Sequence, residues 1–200
     1  MLACDVEAKP RGWEVISSTT EFDDGHVAVV REKLRTPTRE TPRDWTTVRR
    51  KSAVVIAPIT ADGNIVLIRQ ERIPIRATIW EMPAGQVDEL CDTGSFKDVA
   101  LRELQEEAGY ELAAGGELTI LGDFFSSPGF TDERAFLMLA KPVQRAEAGH
   151  AHQESEAIVD CREFSFREVQ RMIGDEQIRD ANTLSMFARL VARGLVTAEE

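Results

Sequence analysis

An acidic stretch within a helix-forming segment constrains this chain more than any other part of its sequence. The residues from Arg102 to Tyr110 read Arg-Glu-Leu-Gln-Glu-Glu-Ala-Gly-Tyr, and they close a segment that favours a helix from Ser95 to Ala108. On a helix, Glu106 and Glu107 lie three and four residues after Glu103 and so on the same face as Glu103, with Cβ atoms about 5–6 Å from its own. The sequence therefore predicts a helix with one carboxylate-rich face.

Two interpretations of this face remain open from the helix alone. Runs of charge are usually solvated surface, which would make the glutamates an ordinary exposed face. Alternatively, the carboxylates bind a divalent cation, because Mg²⁺ takes one or two carboxylates and completes its octahedron with waters and substrate phosphates.

The rest of the chain mixes strands and helices without a regular strand–helix–strand alternation, which favours the α+β class over a doubly wound sheet. An Asp62-Gly63 turn predicts a hairpin between two of the strands. The predicted strands are Trp13–Ile16, Val27–Lys33, Ser52–Ile59, Asn64–Gln70, Leu118–Phe124, Arg134–Lys141 and Ala157–Phe164. The predicted helices are Ser95–Ala108, Phe166–Ile173 and Asn182–Val191.

Three segments read as loops: Arg35–Arg43, with its two prolines, Ala84–Gly94 and the polar Val143–Glu156. Ser95 is the expected N-cap of the acidic helix, and Gly109 is its expected stop. We expect residues 1–50 to form a small N-terminal β appendage and residues 51–200 to form the main domain.

Composition excludes several classes of function. The net charge of −11 makes nucleic acid an unfavourable partner. The longest apolar run, Ala53–Ile59, is too short to span a bilayer, so no membrane association is expected. Cys4, Cys91 and Cys161 form neither a zinc pattern nor a disulfide framework, which favours a reducing cytoplasm. The sequence also lacks a dinucleotide fingerprint and a P-loop.

The acidic segment is preceded by the sequence Trp80-Glu81-Met82-Pro83-Ala84-Gly85. Together the two resemble the signature of the Nudix hydrolase family, a glycine followed at fixed spacing by Arg-Glu, two further residues and Glu-Glu. Gly85 supplies the opening glycine. The resemblance implies the Nudix fold, in which a mixed β-sheet packs between helices.

One departure from the family pattern concerns spacing. The pattern places 13 residues between the glycine and the arginine, whereas 16 separate Gly85 from Arg102 here. Cys91 or Gly94, depending on the direction of counting, then falls where the family has a glutamate that braces the arginine. The candidate replacements as partner of Arg102 are Asp88, Glu89 and Asp92.

Further features resemble the ADP-ribose pyrophosphatase branch of the family. They are the Arg69-Gln70-Glu71-Arg72 motif, the Ser127-Pro128-Gly129 motif and the late acidic loop Gln153-Glu154-Ser155-Glu156. The N-terminal appendage is a fourth, and in this branch it supports a homodimer and helps to build the base pocket.

The resemblance implies a set of site residues. Mg²⁺, with Mn²⁺ as an alternative, would be held by Glu103, Glu107, Glu156 and the backbone carbonyl of Ala84. Glu154 is the candidate catalytic general base, and the alternatives for this role are Glu106 and the Asp88-Glu89 loop. Arg72 would contact the phosphates, Glu81 is assigned to substrate binding, and Trp45 would stack the base, with Trp13 and Phe22 as alternatives.

The implied reaction is Mg²⁺-dependent hydrolysis of a nucleoside diphosphate derivative, foremost ADP-ribose to AMP and ribose 5-phosphate. Another ADP- or GDP-sugar is an alternative substrate. A non-catalytic module that senses ADP-ribose is a second alternative, although a pure binder would not require clustered glutamates. The implied partner is thus a small nucleotide sugar, together with a second copy of the chain.

Overall fold

The computed structural model describes residues 12–87, 93–147 and 157–196. No helix in these ranges is both long and apolar enough to cross a membrane. The described residues form ten strands: β1 (Glu14–Asp23), β2 (Val27–Thr36), β3 (Arg39–Arg50), β4 (Ala53–Thr60), β5 (Ile65–Arg72), β6 (Ala77–Glu81), β7 (Ala84–Gln86), β8 (Tyr110–Phe125), β9 (Arg134–Arg145) and β10 (Ile158–Phe164). The helices are α1 (Thr93–Ala108), α2 (Phe166–Gly174), α3 (Ala181–Ala192) and a short 3₁₀ helix, Ile73–Ile75.

The strands form two sheets of different size. The smaller sheet is antiparallel, in the order β1-β2-β3. The larger sheet has the order β10-β5-β4-β9-β8, with β6 added to β5 and β7 added to β4. It is mixed, because β4 runs parallel to β9 while the other pairs are antiparallel. The hairpin predicted around Asp62-Gly63 is confirmed, although β4 and β5 pair only at Ile59 and Ile65.

The larger sheet lies between helices and is buried on both faces. Along β4, Val54 and Ile56 face a cluster that contains residues of α1. Val55 and Ala57, which alternate with them, face a second cluster that contains residues of α2 and α3. A strand covered on both sides needs a continuous apolar sequence, which is the pattern of Ala53–Ile59. The α+β class and the mixed sheet packed between helices are therefore confirmed.

The helix boundaries differ in one respect from the prediction. Helix α1 begins at Thr93, so the prediction that Ser95 is its N-cap is wrong. Gly109 does end the helix, with a φ of 68° that a residue with a side chain rarely adopts. Ser165 and Glu168 form a capping box at the start of α2.

The predicted loop Arg35–Arg43 is also wrong. Strand β2 continues to Thr36 and β3 already begins at Arg39, with a tight turn between them. Pro42 is tolerated inside β3 because β3 is an edge strand of its sheet, where the absent N–H removes no required bond. Strand β9 likewise extends to Arg145, into the segment predicted as the loop Val143–Glu156.

The smaller sheet meets the rest of the chain at the end of β3. The backbone N–H of Val48 donates to the carbonyl of Phe130 at 2.8 Å, and Val48 forms a parallel bridge with Thr131. All ten residues of β1, at the opposite edge, are exposed. The smaller sheet comprises residues 14–50, and the division into an appendage of residues 1–50 and a main domain of residues 51–200 remains a prediction.

Candidate metal and substrate site

The glutamates of α1 are not a solvated surface. Glu103 and Glu107 are only 5% and 3% exposed, and Glu106 is partly exposed. Leu104 and Ala108, between and beside them, are fully buried in the core cluster that α1 shares with the sheet. Buried carboxylates require a compensating partner such as a cation or a hydrogen-bond donor. The burial therefore favours the cation-binding interpretation over the solvated face.

Strand β7 packs directly against these glutamates. The backbone N–H of Ala84 donates to Oε2 of Glu107 at 2.8 Å. A Cβ atom placed on Gly85 would lie 2.2 Å from Oε1 of Glu103, so only glycine leaves room for that carboxylate. The structure thus brings together three residues that the sequence assigned to metal binding, Ala84, Glu103 and Glu107.

Arg102 pairs with the neighbouring glutamate. Its Nη2 donates to Oε1 of Glu103 at 2.7 Å, while the arginine side chain itself is half exposed. The replacements considered for this partner, Asp88, Glu89 and Asp92, lie outside the described residues. Within the part that is described, Arg102 orients a proposed ligand.

A metal centre can be tested against the donor set. In residues 12–87, 93–147 and 157–196, no group of three or more His, Cys, Asp or Glu side chains is placed to hold a metal ion. Two carboxylates that face a strand whose glycine makes space for them nevertheless fit Mg²⁺, which usually takes one or two protein carboxylates. Glu154 and Glu156, the predicted base and further ligand, lie outside the described residues.

A cavity of about 750 Å³ opens beside Ala84 and Gly85. Its volume is within the range of small-molecule sites. Among its walls are three arginines that suit phosphate groups and three acids, namely Arg50, Arg72, Arg179, Glu81, Glu133 and Asp180. The cavity therefore combines cations for an anionic ligand with acceptors for hydroxyl groups.

Two residues predicted to bind substrate, Arg72 and Glu81, line this cavity and bind each other. Arg72 donates from Nε to Oε1 of Glu81 at 2.8 Å and from Nη2 to Oε2 at 2.5 Å. The hydrogen bond to Glu81 raises the pKa of Arg72 above its ordinary value. Glu81 is 3% exposed, so the guanidinium neutralises a buried charge.

Trp45 lies elsewhere. It is 51% exposed and lines a second cavity of about 550 Å³ together with Trp13 and Pro128. The two cavities share no lining residue. Phe22 is also exposed on β1. The structure of a single chain does not bring these aromatic side chains to Arg72, and their role in base stacking stays a prediction.

Several cavity residues were not found from the sequence. Arg50 forms an ion pair with Glu133 at 2.8 Å, across two segments 83 positions apart in the chain, which no local pattern indicates. Asp180 did carry a signal, because an aspartate before an apolar-periodic segment favours an N-cap. It accepts a hydrogen bond from the backbone N–H of Thr183.

A mixed sheet between helices, with buried glutamates beside a cavity lined by three arginines and three acids, defines an α+β domain suited to a small polar ligand. Comparison with known proteins gives the family: residues 48–187 match the model of the NUDIX domain. The chain belongs to the Nudix family, and the prediction of a Nudix hydrolase is confirmed.

Two curated relatives are similar over most of their length. A methanol dehydrogenase activator of Bacillus methanolicus is 35% identical over 156 residues, covering 76% of this chain and 80% of that protein. An ADP-ribose pyrophosphatase of Bacillus subtilis is 32% identical over 154 residues, covering 76% and 79%. A solved ADP compounds hydrolase superposes with a TM-score of 0.74 over 93% of this chain and 98% of its own, and its 19% identity makes the likeness one of fold.

Proposed function

We propose that this protein hydrolyses the diphosphate bond of ADP-ribose in a Mg²⁺-dependent reaction that yields AMP and ribose 5-phosphate. The observation that carries the proposal is the burial of Glu103 and Glu107 against Ala84 and Gly85, at the edge of the arginine-containing cavity. The similarity to an ADP-ribose pyrophosphatase over three quarters of the chain supports this choice of substrate.

Mg²⁺, or Mn²⁺ in its place, would be held by Glu103, Glu107, the carbonyl of Ala84 and Glu156. When bound, the ion would supply positive charge to the diphosphate and make a water more acidic. The N–H of Ala84 holds the Glu107 carboxylate in place, and Arg102 does the same for Glu103. Fixed ligands of this kind need no reorganisation when substrate arrives.

Arg72 would bind a phosphate oxygen. Its bonds to Glu81 use Nε–H and one N–H of Nη2, which leaves Nη1 and the second N–H of Nη2 for the substrate. Glu81 thereby acts on the substrate through the orientation of Arg72. Glu154 would accept the proton of the attacking water, and Glu106, on the acidic helix, is the alternative base.

An assay of AMP release tests the proposal. Purified protein is incubated with ADP-ribose, with and without Mg²⁺, and a phosphatase then releases free phosphate from the monoester products, AMP and ribose 5-phosphate, but not from the intact diphosphate. ADP-glucose and GDP-mannose serve as competing substrates, because another nucleoside diphosphate sugar is the alternative within the same chemistry. Metal-dependent release with a preference for ADP-ribose is expected. Binding of ADP-ribose without any turnover would instead identify a sensing module and overturn the proposal.

The proposal includes a homodimer located in the cytoplasm. Apolar residues on the smaller sheet are about half exposed, among them Val15, Ile16 and Phe22 on β1. A small sheet depends for its stability on an apolar face or on packing against another element, and contiguous exposed apolar surface is typical of interaction sites. The location rests on the three dispersed cysteines, of which Cys161 is free.

A further inference from the structure

The two carboxylate oxygens of Asp180 are in different situations. Oδ2 accepts a hydrogen bond from the backbone N–H of Thr183 at 2.8 Å and so caps helix α3. Oδ1 is buried, and within the described part of the chain it has no hydrogen-bond partner. Leaving a buried acceptor unpaired costs free energy, so such an atom on a residue that lines a cavity is available to a donor from water or from a ligand.

The position of Asp180 is fixed relative to the substrate site. It lines the same cavity as Arg72 and Glu81. The hydroxyl of Thr183, which is fully buried, accepts a hydrogen bond from the N–H of Met82 at 2.8 Å. This bond ties the first turn of α3 to the residue that follows Glu81. Asp180 therefore belongs to a rigid wall, and its carboxylate does not need to be ordered when substrate binds.

We infer that Asp180 is a specificity-determining residue whose Oδ1 accepts a hydrogen bond from a hydroxyl group of the sugar linked to the substrate diphosphate. The inference rests on the proposed function. A carboxylate repels a phosphate oxygen but accepts strongly from a hydroxyl group, whereas the guanidinium of Arg72 attracts the phosphate. The two side chains on one cavity thus assign the sugar to Asp180 and the diphosphate to Arg72.

The test replaces one hydroxyl of the sugar and one oxygen of the protein. The substrates are ADP-ribose and analogues in which each hydroxyl of the terminal ribose is exchanged in turn for hydrogen. Asp180→Ser removes Oδ1 and keeps a good helix cap. Wild-type protein should hydrolyse one analogue with kcat/KM about 10–100-fold lower than ADP-ribose, as expected for a lost hydrogen bond to a charged group.

The Ser variant should show the same loss on ADP-ribose and should no longer distinguish the two substrates. An equal loss on ADP-ribose and on every analogue would confine Asp180 to capping and would overturn the inference. So would a wild-type protein that treats all analogues alike. Asp175→Ser, at the exposed end of α2 and outside the cavity, is the matched control. Asp180→Thr, which also caps, replaces the Ser variant if that variant is unstable.

A binding measurement separates this inference from the proposed function. If wild-type protein does not hydrolyse ADP-ribose, the proposed function fails, and calorimetric titration still tests Asp180. Ribose 5-phosphate and inorganic phosphate are the two probes. Wild-type protein should bind ribose 5-phosphate more tightly, and Asp180→Ser should abolish that preference. Equal affinity of the wild-type protein for the two probes would overturn the inference.

Discussion

The side chain of Glu107 accepts a hydrogen bond from the backbone N–H of Ala84, across a sequence separation of 23 residues. The bond fixes the acidic helix to strand β7, which is itself paired with the central strand β4. A carboxylate held by backbone in this way has one preferred orientation. Its proposed role in metal binding therefore depends on the placement of a strand as much as on the helix that carries it.

The first prediction concerns the charge of Glu107. Glu107→Gln keeps the acceptor for Ala84 but removes the negative charge. Mg²⁺-dependent AMP release should therefore fall at least about 100-fold, because mutation of a residue that only supports a metal ligand already lowers metal affinity or activity 10–100-fold. The unfolding temperature should not fall, because a buried charge is removed. Glu117→Gln on the exposed part of β8 is the control. Near-normal turnover in the Glu107 variant would contradict its role as a ligand.

The second prediction concerns the space at Gly85. In Gly85→Ala the added Cβ would overlap the Glu103 carboxylate, which must rotate away. Activity should therefore fall about as far as in the Glu107 variant, and the Mg²⁺ concentration for half-maximal activity should rise. Gly174→Ala, where a Cβ meets no atom within 4 Å, is the control. Full activity in Gly85→Ala would show that Glu103 need not occupy its observed position.

The third prediction concerns the forked bond between Arg72 and Glu81. Lysine keeps the charge but cannot form two parallel hydrogen bonds to one carboxylate. Because Arg72 is 40% exposed, solvent screens part of its attraction to Glu81. We therefore expect Arg72→Lys to lower kcat/KM by about tenfold, which is near the smallest effect expected for loss of a hydrogen bond to a charged group. Arg171→Lys, exposed on α2, is the control. Steady-state kinetics that match those of the wild-type protein would contradict a role for Arg72 in substrate binding.

The fourth prediction concerns pH. Burial raises the pKa of Asp180 from 3.8 to about 6. The folded protein therefore binds a proton more readily than the unfolded chain between these values, and the contribution of Asp180 to stability decreases as pH rises through this window. A pKa difference of about 2 corresponds to roughly 3 kcal/mol, which sets the scale of the effect.

Urea unfolding of wild type and Asp180→Ser from pH 4 to pH 7 measures this decrease as a difference between the two proteins. The stability of the variant relative to wild type should rise between pH 4 and pH 6 and then level off. A difference that stays constant across the range would show that the carboxyl of Asp180 titrates normally.

The fifth prediction concerns assembly. An aspartate in place of Phe22, an exposed aromatic residue of β1, should weaken a dimer built on the smaller sheet because it places a charge in an apolar interface. Sedimentation at micromolar concentration should show a dimer for wild type and a larger monomer fraction for Phe22→Asp. Thr119→Asp, exposed on β8, is the control. A monomeric wild-type protein would refute the proposal.

Local pattern was sufficient for most of the regular elements of the main domain, but it missed β6, β7, which lies in the predicted loop Ala84–Gly94, and the first half of β8. The apolar run of β4, the helical spacing of the glutamates and the stop at Gly109 each depend on residues close in sequence. The length of β3 was missed because Pro42 signals a loop everywhere except in an edge strand, and edge position is a tertiary property. The pair of Arg72 with Glu81 was missed for the same reason, although each residue had been assigned to the site.

The roles of the cavity residues were even less predictable from the sequence. Asp180 is recognisable as a helix cap, but its second oxygen gains a role only from burial, and burial follows from the packing of α3 against Met82. Arg50 looks like one basic residue among several near the end of β3. Its place in the cavity follows from the ion pair with Glu133, a contact that forms only when β3 reaches the turn after β8.

The contact between β3 and the turn after β8 couples the movement of the smaller sheet to that of the larger sheet. Arg50, the last residue of β3, lies in the wall of the substrate cavity, two positions beyond the bridge that joins Val48 to Thr131. A rotation of the smaller sheet about this bridge would move a guanidinium in the cavity wall. Whatever packs against the exposed strand β1 therefore has a mechanical route, through the smaller sheet and Arg50, to the cavity in which we propose that the substrate binds.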